Sequence, residues 1–575
     1  MVNAVAADLG AASASAVART AERYVTDLAT LDPLFATRIG MRQHDGRLPD
    51  YSPDGHAARA ELARATCAEL RAASEDGRQW SDPDLRRVAA ALDERLGTVL
   101  ALVDGDLDLA ELNTMDGPVQ AIRQCFGDMP AETPQDWELI AQRLRAVPEA
   151  LAGVRQSVCL AADRGVAPAR RQILQVAEQC AFWSGANEHD LSVFDVIAAR
   201  GWQVPGADIE AAQDGAALAA AAFADFAAFL RSDMVSRARE GDAWGEATYL
   251  PALRRFTGTE PDLRATYSWA WEEFLRVEAE TRTAAARIAG HPDPRAAVAA
   301  LDADPRYRID HPDHYLGWLR EHTDAAAAAA RDVGFDIPPE LARCECRVAQ
   351  THGIPAHYTP PTQDFTRPGR LWWSIEGLGP FSTWRDHTRI YHEGFPGHHL
   401  QVGSVIANRE RLTTFQRLCG QVAAHGEGWA VYAERLMDEA GQFEDAGYRF
   451  GLLDGQLLRA ARLVLDLGLH LELPVPGRDV RWNRDLAVAF LRERTTTGIQ
   501  QCQFEVDRYL AWPGQATSYK LGERVWLAAR ADARLRFGAR WELADFHRQA
   551  LAMGPLGLDV LATELGTLEP GERPS

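Results

Sequence analysis

Apolar positions recur three and four residues apart over most of residues 12–340, as at Ile173, Val176, Ala177 and Cys180, and that spacing lines them up on one face of a helix. Ala, Leu, Arg and Glu dominate the same stretch, and all four favour helices. The runs Ala216 to Ala222 and Ala325 to Ala330 look low in complexity, but each lies between charged residues and predicts helix rather than linker. No fixed-period repeat is present. Punctuation thickens at Pro292, Pro294, Pro305 and Pro312, and again from Gly334 to Pro361, which sets a boundary near residue 335. Two parts follow, a helical lobe over 1–335 and a second over 336–575. Within and just after the second zone, Cys346 to Gln350 and Arg370 to Ile375 read as short strands. Past residue 400 the helices resume, Phe415 to Ala440 being the clearest, closed by Gly441. The expected fold is mainly α with a small β-sheet.

Composition narrows the class. A chain of 575 residues, 46% hydrophobic and 25% charged, is an ordinary globular protein with enough material for a large core. Its net charge of −21, with no basic run, disfavours nucleic acid as a partner, because phosphate backbones need a basic face. Eight cysteines without regular spacing do not form a disulfide framework and point to a cytoplasmic protein. Cys344 and Cys346, the one close pair, read as small half-buried residues, since no second pair accompanies them to complete a metal site. Residues 1–24 lack a basic stretch followed by an apolar block, so no signal peptide is expected. No run of 18 uncharged apolar residues is found, and no membrane partner is expected. The sequence leaves the oligomeric state open.

The chemistry concentrates elsewhere. Five of the sixteen histidines, His387, His392, His398, His399 and His425, fall within 39 residues. Neutral imidazole is the commonest protein ligand for zinc, and a catalytic zinc takes about three protein ligands and keeps one position open. The segment His392-Glu393-Gly394-Phe395-Pro396-Gly397-His398-His399 supplies His, Glu and His in the order that a metal hydrolase uses. Its spacing departs from the helical zinc motif, in which the histidines stand four apart on one face. Position i+4 from His392 is Pro396, which removes a helix hydrogen bond and collides with the His392 carbonyl. On an ideal helix His392 and His399 would be separated by about 10 Å of rise, and His398 would face another way. A bend at Pro396-Gly397 must therefore bring the rings together.

A carboxylate is the expected third ligand. Glu427 lies some thirty residues downstream in a strongly helical stretch, with Gly426 and Gly428 leaving room for close packing beside it. His425 reads as a residue that supports the ligands or contacts substrate. Tyr509 and Tyr519, near Arg508 and Lys520, are the best donors for a developing oxyanion. Arg462 and His470 read as substrate contacts or braces, with an Arg462–Asp466 ion pair four apart on a helix as the equal alternative. Trp372 and Trp373 precede the histidines and could line a channel in a strand that holds an extended peptide by main-chain pairing. The phosphate-cradling loop, the serine elbow and the dinucleotide fingerprint are all missing.

Several blocks together resemble the family known as domain of unknown function 885, whose members look like zinc-dependent peptidases. They are His392 to Gln401, Glu427-Gly428-Trp429-Ala430-Val431-Tyr432, Arg462 through Asp466 to Gly468 and His470, Arg508-Tyr509, Pro513-Gly514-Gln515-Ala516 and Tyr519-Lys520-Leu521-Gly522, with Phe35 to Gly40 and Arg47 to Asp50 near the start. The resemblance implies a fold similar to neurolysin and the carboxypeptidase Taq group: two helical lobes flanking a deep channel, with zinc on its floor. In those relatives the motif ends in Gly-His, a small residue and Leu. That pattern matches Gly397-His398 and Leu400, making His398 the second ligand and His399 the runner-up, now a substrate contact.

The expectation is a zinc hydrolase for small peptides. His392, His398 and Glu427 hold Zn2+, Glu393 takes the proton of the attacking water, and Tyr519 or Tyr509 faces the oxyanion. His399, His425, Arg462, His470 and Arg508 are the expected substrate contacts. Two alternatives share these residues: an amide or isopeptide hydrolase for a specialised metabolite, and a non-catalytic scaffold that metal stabilises. Glu393 argues against the scaffold, since a structural site fills its fourth position and needs no base.

Overall fold

Helix-starting chemistry recurs along the chain: an Asp, Ser or Thr side chain accepts from the first turn, and Pro often fills the first helical position. Thr133 and Asp136 form a reciprocal capping box ahead of Pro134, for example, and begin the 30-residue helix α1 (Pro134–Asp163). In the computed structural model, which describes residues 15–74, 82–186, 191–349, 356–375 and 379–571, such helices make up most of the chain. The fold is mainly α with a small β-sheet. The alanine runs are helical, the first within α2 (Ile209–Ser232) and the second within Pro312–Asp332.

Helix α2 lies along α1 and Arg170–Trp183, burying Ala216, Phe223, Phe226 and Leu230 in a core shared with Leu144, Val154 and Val176. By length and composition the stretch Ile209–Arg237 is apolar enough to cross a membrane, which corrects the expectation that no such segment exists. Here its phenylalanines pack against protein. The larger core takes residues from both sides of position 335, joining Leu92, Tyr249 and Phe274 to Trp429, Leu457 and Tyr509. Helix α3 (Leu263–Ala289) carries part of that junction by packing on a later helix, α7 (Ala446–His470).

The predicted sheet has three strands: β1 (Cys344–Val348), β2 (Ala356–Thr359) and β3 (Gly369–Trp373), in the order β1-β3-β2. β3 pairs in parallel with β1, Cys346 opposite Leu371, and antiparallel with β2, Tyr358 opposite Leu371. Gln350 lies outside the described residues, and β2 went unpredicted because four residues give too short a pattern. The strand with Trp372 and Trp373 is central, so its main chain is used on both edges and cannot take up a peptide, contrary to expectation. Trp373 is buried, and Trp372 donates to the Thr359 hydroxyl.

Candidate metal centre

Helix α4 (Thr383–Glu393) brings His392 and Glu393 to its last turn and stops there. Gly394 ends it, and a new helix, α5 (His398–Ala407), starts after Gly397. The predicted bend is thus present. A methyl group on Gly397 would lie 1.9 Å from the His392 carbonyl oxygen, so only glycine lets the chain fold back this tightly. The two ring centroids, His392 and His398, come to 4.9 Å.

Glu427 comes from α6 (Ala423–Glu439), a shorter helix than the predicted one. Thr414–Leu418 is separate, and the chain breaks around Gly420, whose Cβ position is crowded by Gln416. Gly428 packs directly on Gly522 of α9 (Ser518–Phe537): a methyl on it would meet the Gly522 Cα at 2.3 Å. Gly426 has no such contact within 3.4 Å.

One donor atom each from His392, His398 and Glu427 lies within 4.8 Å of the other two. Glu427 Oε2 is 3.3 Å from His392 Nε2 and 3.6 Å from His398 Nε2, yet it is buried and has no well-formed hydrogen bond. The far side of the His392 ring is held firmly. Its Nδ1 lies 2.7 Å from the fully buried Glu434, which also accepts from Arg459 at 2.9 Å. With Nδ1 committed to a carboxylate, Nε2 faces Glu427 and the central point and is the nitrogen that an ion would take on losing its proton.

Electrostatics follow the same geometry. Burial pushes the Glu427 carboxyl up, but the imidazoles of His392 and His398 outweigh it and hold the group well below the ordinary carboxylate range. Burial and Arg459 push His392 down, while Glu427 and Glu434 win and raise it to about 9. The carboxylates therefore require positive charge at this point. Glu393 is displaced upward, chiefly by burial, and among the described residues its carboxyl has no hydrogen-bond partner.

The donor set fits a divalent ion. Two imidazoles and a carboxylate are the ligands of catalytic zinc sites. An orphaned carboxylate oxygen and a ring braced by a second carboxylate are what such a site leaves behind in the protein alone.

A protein family described as bacterial protein of unknown function, DUF885, matches residues 33–565. The chain belongs to that family. A search of the curated proteins finds no match for this DUF885 member. Among solved structures it is similar to the putative lipoprotein from Colwellia psychrerythraea, with a TM-score of 0.80 at 21% identity over 96% of this chain and 98% of that one. It is also similar to a putative lipoprotein of unknown function from Shewanella oneidensis, with a TM-score of 0.72 at 18% identity over 95% and 99% of the two chains. These likenesses show the fold.

The remaining predicted residues of this DUF885 member divide into two groups. Tyr519 lies beside the centre: Glu427 acts on its hydroxyl electrostatically, Arg462 stands 4.8 Å over its ring, and the hydroxyl has no hydrogen bond among the described residues. Tyr509 sits in α8 (Ile499–Ala511), fully buried, and commits its proton to Glu505 at 2.6 Å. Arg462 grips the same Glu505 through two nitrogens at 3.0 and 2.8 Å, and Arg508 adds a third contact. The Arg462–Asp466 pair does not form, because Asp466 instead accepts from Tyr249 and from the Gly514 backbone. Three histidines turn inward. His399 spends Nε2 on the Leu341 carbonyl and Nδ1 on the Tyr358 hydroxyl, so it has no free nitrogen for an ion or a substrate. His425 is held by the Leu556 backbone and Trp526, and His470 by the Tyr509 carbonyl and the Tyr249 ring. Burial lowers all three to about 4.

Sequence reasoning missed Glu434 and Arg459, and it named Lys520 only as a neighbour of Tyr519. Glu434 stands seven residues after Glu427 on α6, two helical turns along one face, and that spacing is the signal that could have found it. Lys520, fully buried, pairs with Glu273 and Glu523 and ties α3 to α9.

Proposed function

We propose that this protein is a zinc-dependent hydrolase of peptide or similar amide bonds, with His392, His398 and Glu427 as the ligands. The observation that carries the reading is the meeting of three donors from α4, α5 and α6 around a buried carboxylate oxygen with no well-formed hydrogen bond. The resemblance of the histidine block to zinc peptidases supports it. When bound, zinc supplies positive charge that acidifies water and polarises a carbonyl.

The chain's own residues do the rest. Glu393, raised chiefly by burial and without a hydrogen-bond partner among the described residues, accepts the proton of the attacking water and passes it to the departing amine. The unbonded Tyr519 hydroxyl donates to the developing negative charge on the carbonyl oxygen. Arg459 and Arg462, within 5.9 and 4.8 Å of the Tyr519 ring, hold that ring in place. The eight free cysteines fit a reducing, cytoplasmic compartment, which cell fractionation checks.

The test is elemental analysis of the purified protein together with chelator-sensitive cleavage of a panel of peptides and capped or branched amides. Glu393→Gln is expected to keep the metal and lose turnover by about 10²–10⁴-fold. Full activity in that variant removes Glu393 as the base. Failure of His392→Ala or Glu427→Ala to lower metal content removes the site altogether.

A further inference from the structure

Away from the three ligands, a cavity of about 710 Å³ lies between the first helices, the segment 168–172, residues 239–256 and the chain 510–513. Its volume is that of a small-molecule site rather than a packing defect. Tyr24, Phe35, Leu102 and Phe256 give it apolar walls. Five arginines line it against four carboxylates, a surplus of positive charge in a protein whose net charge is −21.

One end of the cavity is chemically unfinished. Gln172 is only 4% exposed, and neither its amide nitrogen nor its amide oxygen has a hydrogen-bond partner. Arg239 Nε and Trp512 Nε1 are likewise buried and unpartnered. All three residues line this one cavity, and the segments that carry them are linked. Arg239 bridges to Ala169, one turn before Gln172, and it acts electrostatically on His470. The His470 ring bonds the Tyr509 carbonyl, to which the Trp512 amide also donates. Arg239 pairs with no carboxylate among the described residues; the nearby Asp242 is engaged by Arg171. Of the acidic walls, Glu111 is paired with Arg255, and Asp108 with His56. Three orphaned N–H groups on residues lining one cavity are costly unless something accepts from them.

We infer that this cavity is a binding site for a carboxylate attached to an apolar body, with the carboxylate against Arg239, Trp512 and Gln172 and the body along the aromatic and aliphatic walls. The inference is independent of the metal centre. The carboxylate has two sources of the same chemistry, a free organic acid and the C-terminus of a peptide.

Isothermal titration of the full chain with 3-phenylpropionate, its neutral amide, and the tripeptide Gly-Gly-Phe with free and amidated carboxyl separates these cases. Both acids are expected to bind about tenfold or more tightly than their amides, as charge-assisted hydrogen bonds require. A free tripeptide stronger than phenylpropionate identifies the peptide terminus; equal or weaker binding identifies the small acid. Gln172→Glu, nearly the same shape but negatively charged, is expected to abolish binding of the acids, and Arg239→Gln to weaken it about tenfold. Trp512→Phe keeps the ring packing on Phe256 and is expected to cost about threefold. Thermal melting confirms that each variant is folded, and if Arg239→Gln does not fold, the other two carry the test. Acids and amides that bind alike, no measurable heat, or acid binding unchanged in folded Gln172→Glu overturns the inference.

Discussion

His398 and His399 are neighbours in sequence and belong to two different regions of the molecule. His398 turns toward Glu427 and His392, where one carboxylate oxygen is left without a hydrogen bond. His399 turns toward the sheet, and the Leu341 carbonyl and Tyr358 hydroxyl consume both of its nitrogens. The same division separates His392 from His425 and His470. In the first region the His392 ring has Nδ1 braced by Glu434 and Nε2 aimed at the point that it shares with His398; in the second the protein's interior occupies the ring. The chemistry of a histidine is therefore set by what its second nitrogen touches.

The comparison can be broken at several points. The largest effect is expected at the two tyrosines. Tyr519→Phe should lower turnover by about 10²–10³-fold with little change in melting, as loss of an oxyanion donor does. Tyr509→Phe should leave turnover nearly intact and lower stability, because its proton serves Glu505. A reversed pair of results, read by steady-state kinetics and calorimetry, exchanges their roles. Next, Glu434→Gln should weaken metal affinity by about 10–100-fold, measured by competition with a chromophoric chelator, since the His392 ring loses its charged brace. An unchanged affinity would make Glu434 a partner of Arg459 alone.

The histidine pair itself sharpens the contrast. His398→Ala should empty the metal centre at nearly full stability, whereas His399→Ala should keep the metal and lose about 2–4 kcal/mol through two orphaned partners and a cavity. Metal content and denaturant melts on the same two samples decide it. The smallest effect concerns acid. Burial keeps His387 and His470 neutral down to about 4, and His547 to about 3, whereas unfolded histidine takes its proton near 6.5. The unfolded chain then binds more protons below about 6.5, so stability falls as pH drops from there towards 4. A melting temperature flat between pH 7 and 4.5 would contradict the buried neutral rings.

Much of the fold was legible because helices announce themselves over long windows. The apolar spacing at Ile173, Val176, Ala177 and Cys180 leaves all four fully buried. The break near Gly420 was missed because most of Phe415 to Ala440 favours helix; the signal was the glycine itself, where an added methyl would crowd the Gln416 backbone and Pro555. At the site, the bend at Pro396-Gly397 followed from proline's missing N–H, Glu427 from the need for a carboxylate beside a histidine cluster, and the choice of His398 over His399 from the resemblance to zinc peptidases alone. Partners far apart in sequence were another matter. Arg462 lies four residues from Asp466 but pairs with Glu505, 43 residues away, because α8 delivers that carboxylate while Tyr249 and the Gly514 backbone occupy Asp466. No local spacing encodes that choice. Glu434 was hidden for the opposite reason: it looks like any other acidic residue on a helix.

Where α6 crosses α9, Gly428 and Gly522 meet with no layer of side chains between them. Side chains are the bearings on which helices slide, and this joint has none. The carboxylate of Glu427 and the ring of Tyr519 are thereby mounted on a single rigid girder, their spacing fixed by peptide geometry.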